Sequence, residues 1–362
     1  MRDDGAASAR AAAAAAAKAV RSLVVRFEQQ MDVDRVVADV AELAQSPRGR
    51  HHPQQQARAR QYVSDRLTEV GWQVTPVPFE RRWVVGVSDA GGRVSILRRL
   101  RLFRRLTGVN LLADLPTPTD PPNPTTLAPV RWVLLIAHLD SVACSPGADD
   151  NASGVAALLE CARLLATLPE PPPVRLALVD LEELGKVGSA TLAADREFVR
   201  GLSAVLCLES VGTFSSQPQT QQLGGLGLFF RGLARQVAAN QNRGDFVLAI
   251  CRRSSSGLAR ALTAAGAGLA TPLTVLTARD PRADGFRGRL ATWVFPLLAT
   301  LDRSDQAPFW HRGVPSLMLT TTAPFRNRHY HLPGDQPENL DHARLTALAA
   351  VVAAVAATPL PP

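Results

Sequence analysis

Apolar residues along this chain follow two different periods, and the switches between them outline the elements. Residues 33–45 (VDRVVADVAELAQ) and 54–70 repeat every 3.6 residues, which predicts two amphipathic helices, the second stopped at Gly71. Residues 72–79 (WQVTPVPF) alternate and predict a strand. The pattern weakens over 80–107, and the Pro/Thr-rich stretch 115–129 reads as a loop because a strand signal stands on each side of it. From Arg131 onward the chain becomes regular. WVLLIA (132–137), VRLALVDL (174–181), AVLCLE (204–209) and PSLMLT (315–320) are apolar runs of strand length, while 153–168 and 189–199 read as helices. Strands apolar on both faces and separated by helices predict an α/β fold, a three-layer α/β/α sandwich around a mostly parallel mixed sheet. Residues 213–300 carry little pattern, and no internal repeat is visible. Leu345, Leu348, Val352 and Val355 recur at helical spacing and predict a terminal amphipathic helix docked on the domain. The expected organisation is an Ala/Arg-rich extension over 1–30 and one domain over 31–362, with a variable insertion around 80–130.

Composition adds a few exclusions. The 362 residues are 46% hydrophobic, enough for a large core in an ordinary soluble chain. The net charge of +8 is almost entirely arginine, since Lys18 and Lys186 are the only lysines. That skew is general to the chain, and no nucleic-acid partner is expected from it. The basic run from Leu97 to Arg105 is read as a solvated face of the insertion rather than a lipid or nucleic-acid patch. Cys144, Cys161, Cys207 and Cys251 fit no zinc-knuckle or CxxC spacing and no disulfide scaffold. Cys161 and Cys207 are expected in the core, and Cys144 is given no chemical role. Residues 1–18 are acidic where an export signal is basic, and the apolar part of 345–362 is too short to span a bilayer. No membrane span is expected, and the expected location is the cytoplasm, with secretion left open.

Chemistry gathers at the strand ends. His138-Leu139-Asp140 closes one predicted strand, and Asp150 follows in the run SPGADDNASG (145–154). Glu182-Glu183 and Glu209 stand just past or at the ends of two more, and His331 lies in the last motif. Ligands of open α/β sheets bind beyond the carboxyl ends of strands, so these groups should converge. Two imidazoles and three carboxylates can hold two zinc ions if one carboxylate bridges, and the charges then nearly cancel. Side chains of Glu182 and Glu183 diverge on leaving the strand, so one can bind metal while its neighbour serves as general base. Asp140 is placed to orient the histidine from behind. His311, His329 and His342 are read as surface or structural, and His51 and His52 as part of a polar loop.

These motifs, with Gly188-Ser189, Leu208-Glu-Ser-Val-Gly212 and the block SDQAPFWHRGVPSLMLTTTAPFRNRHYHLPGDQPENLD (304–341), resemble the bacterial leucyl aminopeptidase and aminopeptidase S family of co-catalytic di-zinc peptidases, peptidase family M28. The resemblance covers roughly 33–357 and is weak through 80–107 and 213–300. It implies a zinc-dependent exopeptidase fold, peptide substrates with a free N-terminus, and two Zn2+ ions. One ion would take His138, Asp150 and Glu209, and the other Asp150, Glu183 and His331, with Asp150 bridging. Glu182 resembles the general base and Asp140 the residue behind the first ligand. Gln306 stands where the family's Ser-Asp-His has histidine, and Thr321 where this subgroup often has aspartate. Neither position is a family ligand, so both departures bear on substrate binding and turnover. The expected function is a metallo-aminopeptidase. The alternatives are a glutaminyl-cyclase-like acyltransferase or a carboxypeptidase on the same fold, and a catalytically weak or dead peptidase-like binding protein. Oligomeric state is not readable from the sequence.

Overall fold

The computed structural model describes residues 2–92, 100–116, 131–294 and 296–359. Most of the expected connector 115–129, residues 97–99 of the basic run and the last three residues lie outside them. The helices that matter below are α1 (Arg2–Glu28), α2 (Val33–Leu43), α3 (Pro53–Glu69), α4 (Gly154–Ala166), α5 (Val187–Ala194), α6 (Ser256–Ala267) and α7 (His342–Ala356). The strands are β1 (Gln73–Val87), β2 (Leu100–Asp114), β3 (Trp132–His138), β4 (Val174–Val179), β5 (Leu202–Glu209), β6 (Phe246–Cys251), β7 (Thr274–Arg279) and β8 (Ser316–Thr320).

The eight strands form one mixed sheet in the order β1-β2-β4-β3-β5-β8-β6-β7. The centre, β4-β3-β5-β8, is parallel. β1 and β2 join it as an antiparallel hairpin, and β6 and β7, parallel to each other, run antiparallel to β8. Alternate side chains of the central strands feed two separate cores. Leu135, Ala137, Leu206 and Leu208 face the side covered by α1–α4, α6 and α7, while Leu134, Ile136, Val205 and Cys207 face the other. Two buried faces explain the unbroken apolar runs. Cys161, Cys207 and Cys251 are buried free thiols.

Local chemistry sets the element ends. α3 stops where Gly71 takes φ +89°, and the Trp72 and Gly71 amides close back on the carbonyls of Leu67 and Thr68, both at 3.0 Å. Asp32 caps α2 by accepting from the Arg35 amide.

Four features differ from expectation. The segment 80–107 contributes most of a long hairpin instead of an irregular insertion. The outer halves of β1 and β2 lack alternation because most of their side chains on both faces stay exposed, as at Arg82, Trp83, Val85, Arg101 and Leu102. β6 and β7 lie inside the stretch that carries little pattern. The helix expected over 189–199 is two helices, α5 and Arg196–Arg200, broken where Asp195 turns extended and caps the second. Finally, α7 is not amphipathic: Leu345, Thr346 and Leu348–Ala356 are all buried, because α1, α2, α4 and α6 surround it. Among the described residues no helix is long and apolar enough to cross a membrane.

Candidate metal centre

The chain passes from β3 through α4 to β4 on one side, then returns through α5 to β5 on the other side of β3. Strand order therefore reverses at β3, and a crevice opens beyond its carboxyl end. His138 is the last residue of β3 and Glu209 the last of β5. Glu182 and Glu183 follow β4, in a turn where Leu181 and Lys186 both take left-handed backbone angles (φ +59° and +63°). Asp150 comes from the loop leading into α4, next to the cis Asp150–Asn151 peptide bond, and His331 (φ +60°) from the loop after β8. Ser210, also left-handed, adjoins Glu209. Non-glycine residues in this region carry a cost of about 1–2 kcal/mol each, and their gathering around one crevice marks it as a built site.

These side chains form two triads that share one member. His138 Nε2 lies 3.2 Å from Asp150 Oδ1 and 3.3 Å from Glu209 Oε2. His331 Nε2 lies 3.0 Å from Asp150 Oδ2 and 3.3 Å from Glu183 Oε2. Each triad offers three ligand atoms within 4.8 Å of one another. Asp150 turns one oxygen to each. Glu182 belongs to neither triad; it lines the adjoining cleft together with Glu183 and His331.

The hydrogen bonds around the triads fix their orientation. His138 Nδ1 is 3.0 Å from the Asp140 carbonyl oxygen, which only accepts, so Nδ1 carries the proton. Nε2 is the ring atom aimed into the cluster, where either a proton or a metal ion can sit, and it is a buried atom without a hydrogen-bond partner. Asp140 thus stands behind His138 through its main chain, with its carboxylate at 3.6 Å. That carboxylate instead accepts the amides of Glu182 (3.0 Å) and Glu183 (3.2 Å), holding their turn against β3. Ser304 donates to Glu209 Oε2 at 2.6 Å and Ser210 to Oε1 at 2.9 Å. Asp335 accepts the amides of Asp149 and Asp150, both at 3.1 Å.

Electrostatics fits a cation. Burial alone would lower both imidazoles, yet the carboxylates outweigh it: Glu209, Asp140 and Asp150 lift His138 well above its ordinary value, and Glu183 and Asp150 do so for His331. Burial pushes Glu183 up to about 7 and raises Glu182 well above the carboxylate range. Without metal, protons must supply the positive charge that the cluster demands. The unpartnered His138 Nε2, the unpartnered Glu183 Oε1 and the mixed imidazole–carboxylate donors suit zinc.

Several supports have no sequence signal. Arg48, buried in the loop after α2, donates to the carbonyls of Leu139 (2.9 Å), Leu43 (3.2 Å), Gly147 (2.9 Å) and Pro146, tying the His138 and Asp150 loops together. Burial lowers its guanidinium to about 10, which leaves it cationic at neutral pH. Gly147 (φ +61°) must lack a side chain, because a Cβ there would overlap the Asp150 carbonyl oxygen. The far end of the β1–β2 hairpin also reaches the centre: the Val87 amide donates to Leu184 O at 3.0 Å and the Gly92 amide to His331 O at 2.9 Å.

The residues that depart from the family pattern lie outside the triads. Gln306 is buried and donates to Leu301 O at 2.9 Å; Thr321 is buried and its hydroxyl donates to Ser210 O at 2.6 Å. Cys144 Sγ meets the His331 carbonyl at 3.5 Å. His51 and His52 bond to Asp89 and to the Ala143 carbonyl, away from the cluster. The cleft beside the triads measures about 1020 Å³, and Lys186, Thr213, Arg303, Phe325 and Tyr330 are among its walls. The Tyr330 ring stacks on His331 with centroids 3.9 Å apart.

Known proteins share this arrangement of sequence and fold. YfbL of Escherichia coli, an uncharacterized protein, is 31% identical over 226 residues, covering 59% of this chain and 62% of YfbL. Aminopeptidase YwaD of Bacillus subtilis is 33% identical over 112 residues, covering 30% of this chain and 23% of YwaD. The chain thus spans less than two thirds of either relative. Among solved structures, BSAP, a zinc aminopeptidase from Bacillus subtilis, superposes with a TM-score of 0.60 at 14% identity, covering 90% of this chain and 94% of BSAP. The peptidase family M28 pattern matches residues 119–257 and 266–356, which take in the strand ends, both triads and Glu182, and the chain belongs to that family.

Proposed function

We propose that this chain is a zinc-dependent aminopeptidase that hydrolyses the first peptide bond of peptides with a free N-terminus. The observation that carries this is the pair of triads joined through Asp150, with the unligated Glu182 beside them on the cleft. His138, Asp150 and Glu209 would hold one zinc ion, and Asp150, Glu183 and His331 the other. Two zinc ions would supply Lewis acidity toward the scissile carbonyl and make a water acidic enough to deprotonate near neutral pH.

The chain's own residues do the rest. Glu182 accepts the proton of the attacking water as the C–O bond forms and then passes it to the amine nitrogen, so that the C–N bond breaks with a neutral amine leaving. Asp140 fixes the turn that aims Glu182, through the two amide hydrogen bonds. Ser304 and Ser210 pin Glu209, leaving its carboxylate no freedom to swing from His138. The free α-amino group of a substrate would sit beside the metal centre and its carboxylates, the arrangement that exopeptidase action needs.

The test is zinc content together with hydrolysis of a panel of aminoacyl-anilides, with Glu182→Gln as control. The parent is expected to bind about two zinc ions per chain and to release anilide, and Glu182→Gln to retain metal while losing about 10²–10⁴-fold in kcat. Metal binding without hydrolysis of any N-terminal residue would overturn the aminopeptidase and favour a binding protein. An N-terminal glutaminyl peptide in the same panel separates the cyclase alternative, because cyclisation releases ammonia and leaves the peptide bond intact.

A further inference from the structure

Beyond the metal ligands the cleft is cationic. Its walls carry Lys186, Arg303, Arg326 and Arg328 against two further carboxylates, Glu182 and Asp302. Three of these charges are already engaged, Arg328 among them. Arg326 is buried and donates to Gln221, the Thr213 carbonyl and the Phe246 carbonyl. Asp302 is held by Arg282 at 2.7 Å and Arg252 at 3.4 Å. Lys186 and Arg303 are different: among the described residues neither has a carboxylate within 4.0 Å, and their charges reach Glu182 and the Tyr330 hydroxyl across the cleft.

Both are fixed to the centre rather than strewn on the surface. The Lys186 amide donates to the Glu182 carbonyl at 2.8 Å, in the left-handed turn that presents Glu182. Arg303 directly precedes Ser304, the residue that holds Glu209. Lys186 is also one of only two lysines in a chain of 40 basic residues. A cation without a close ion-pair partner on each of these two site-bearing segments, over a cleft of this size, suits an anionic group on the substrate.

We propose that Lys186 and Arg303 form a carboxylate-reading rim, so that the favoured substrates are peptides bearing a carboxylate within a residue or two of the scissile bond. The carboxylate is either the free C-terminus of a di- or tripeptide or an acidic side chain. This specificity rests on the peptidase reading above. Solvent-facing ion pairs are individually weak, so the two together should give about a tenfold preference, reduced by salt.

The test compares matched peptides on the zinc-loaded chain: Ala-Ala-Ala against its C-terminal amide, Asp-Ala-Ala-amide against Asn-Ala-Ala-amide, and Ala-Glu-Ala-amide against Ala-Gln-Ala-amide. At least one carboxylate-bearing peptide is expected to exceed its neutral partner about tenfold in kcat/KM. The difference should lie in KM and shrink with added salt. The first pair reports a C-terminal carboxylate and the others a side chain. The double variant Lys186→Gln/Arg303→Gln should bring that ratio to within about twofold of one, and Arg303→Glu should reverse it. Equal kcat/KM for all partners in the parent would overturn the rim and leave the peptidase intact. A preference surviving in the double variant would overturn the assignment to these two residues. Should no peptide be cleaved, the peptidase reading fails separately. Calorimetric binding of the same peptides to Glu182→Gln then decides the rim, a tenfold affinity ratio supporting it and a ratio near one overturning it.

Discussion

Asp150 is the one side chain on which both triads depend, with Oδ1 facing His138 and Oδ2 facing His331. Asp150→Ala removes a donor from each triad at once, whereas Glu209→Ala or Glu183→Ala removes one from a single triad. Zinc content after exhaustive dialysis, measured by plasma emission, is expected to fall from about two per chain to below one for Asp150→Ala, and to about one for either glutamate variant. Two ions retained by Asp150→Ala would show that the carboxylate is not shared. Arg48 poses the complementary question, since it touches no ligand atom and acts through main-chain carbonyls. Arg48→Met strands buried acceptors of Leu139, Pro146 and Gly147 and is expected to cost about 3–5 kcal/mol in urea unfolding. Arg48→Lys should recover little of that, because an ammonium cannot reproduce the planar fork that reaches both loops. Full recovery by lysine would reduce Arg48 to a generic buried charge.

Elements differ in how far they can be read ahead, and the β1–β2 hairpin shows why. Its far end is tied down by Asp89, which accepts from Arg50 at 2.7 and 2.9 Å and lies 3.1 Å from His51. Burial alone would raise the Asp89 carboxyl, but the hydrogen bonds from Arg50 and His51 outweigh it and hold it below the ordinary aspartate value. A depressed carboxylate contributes stability that is complete above its unfolded value and is lost as pH falls through the folded one. Asp89→Asn should therefore be less stable than the parent at pH 7, with the gap closing below about pH 4. Urea midpoints at pH 7, 4 and 2.5 measure this, and a gap that does not depend on pH would show that the carboxylate's charge plays no part. None of this can be read from 80–107, because exposed strand halves on a sheet edge need no alternation. The same holds for β7, an edge strand with only Val275 and Ala278 buried. By contrast β3, β4, β5 and β8 stand out as apolar runs because both their faces are buried, and β6 (FVLAIC) has the same character inside a polar neighbourhood. The candidate ligands are legible for a different reason: metal chemistry demands particular side chains at strand ends. Their supports are not, since a carbonyl can be held by an arginine from any loop.

At the scale of the whole molecule, the least expected participant is α1. Read as an Ala/Arg-rich extension, it instead buries Val20, Val24 and Phe27 in the core that surrounds α7. Polar contacts lock it at its carboxyl end. Arg26 donates to Thr167 O at 2.6 Å just past α4, and Glu28 accepts the Ala270 amide at 2.8 Å just past α6. α1 thus clasps the ends of two helices that themselves lie on the sheet. It also explains how α7 tolerates an apolar surface on every side: without α1, one of its four helical neighbours, part of that surface would meet water. Phe27→Ala is expected to cost about 3–5 kcal/mol, the usual loss for a fully buried aromatic. Deleting residues 2–28 should cost more and add aggregation, because a large apolar patch becomes exposed. Urea midpoints report the first effect and light scattering at rising concentration the second. The alanine-rich first half supplies an internal control, since Ala16 is the only buried residue described between positions 11 and 19. Replacing the exposed Ala12 and Ala13 by glutamine should therefore leave the urea midpoint close to that of the parent. A deletion of 2–28 that unfolds at the parent's midpoint and stays monodisperse would show α1 to be an appendage, and α7 would then need another cover.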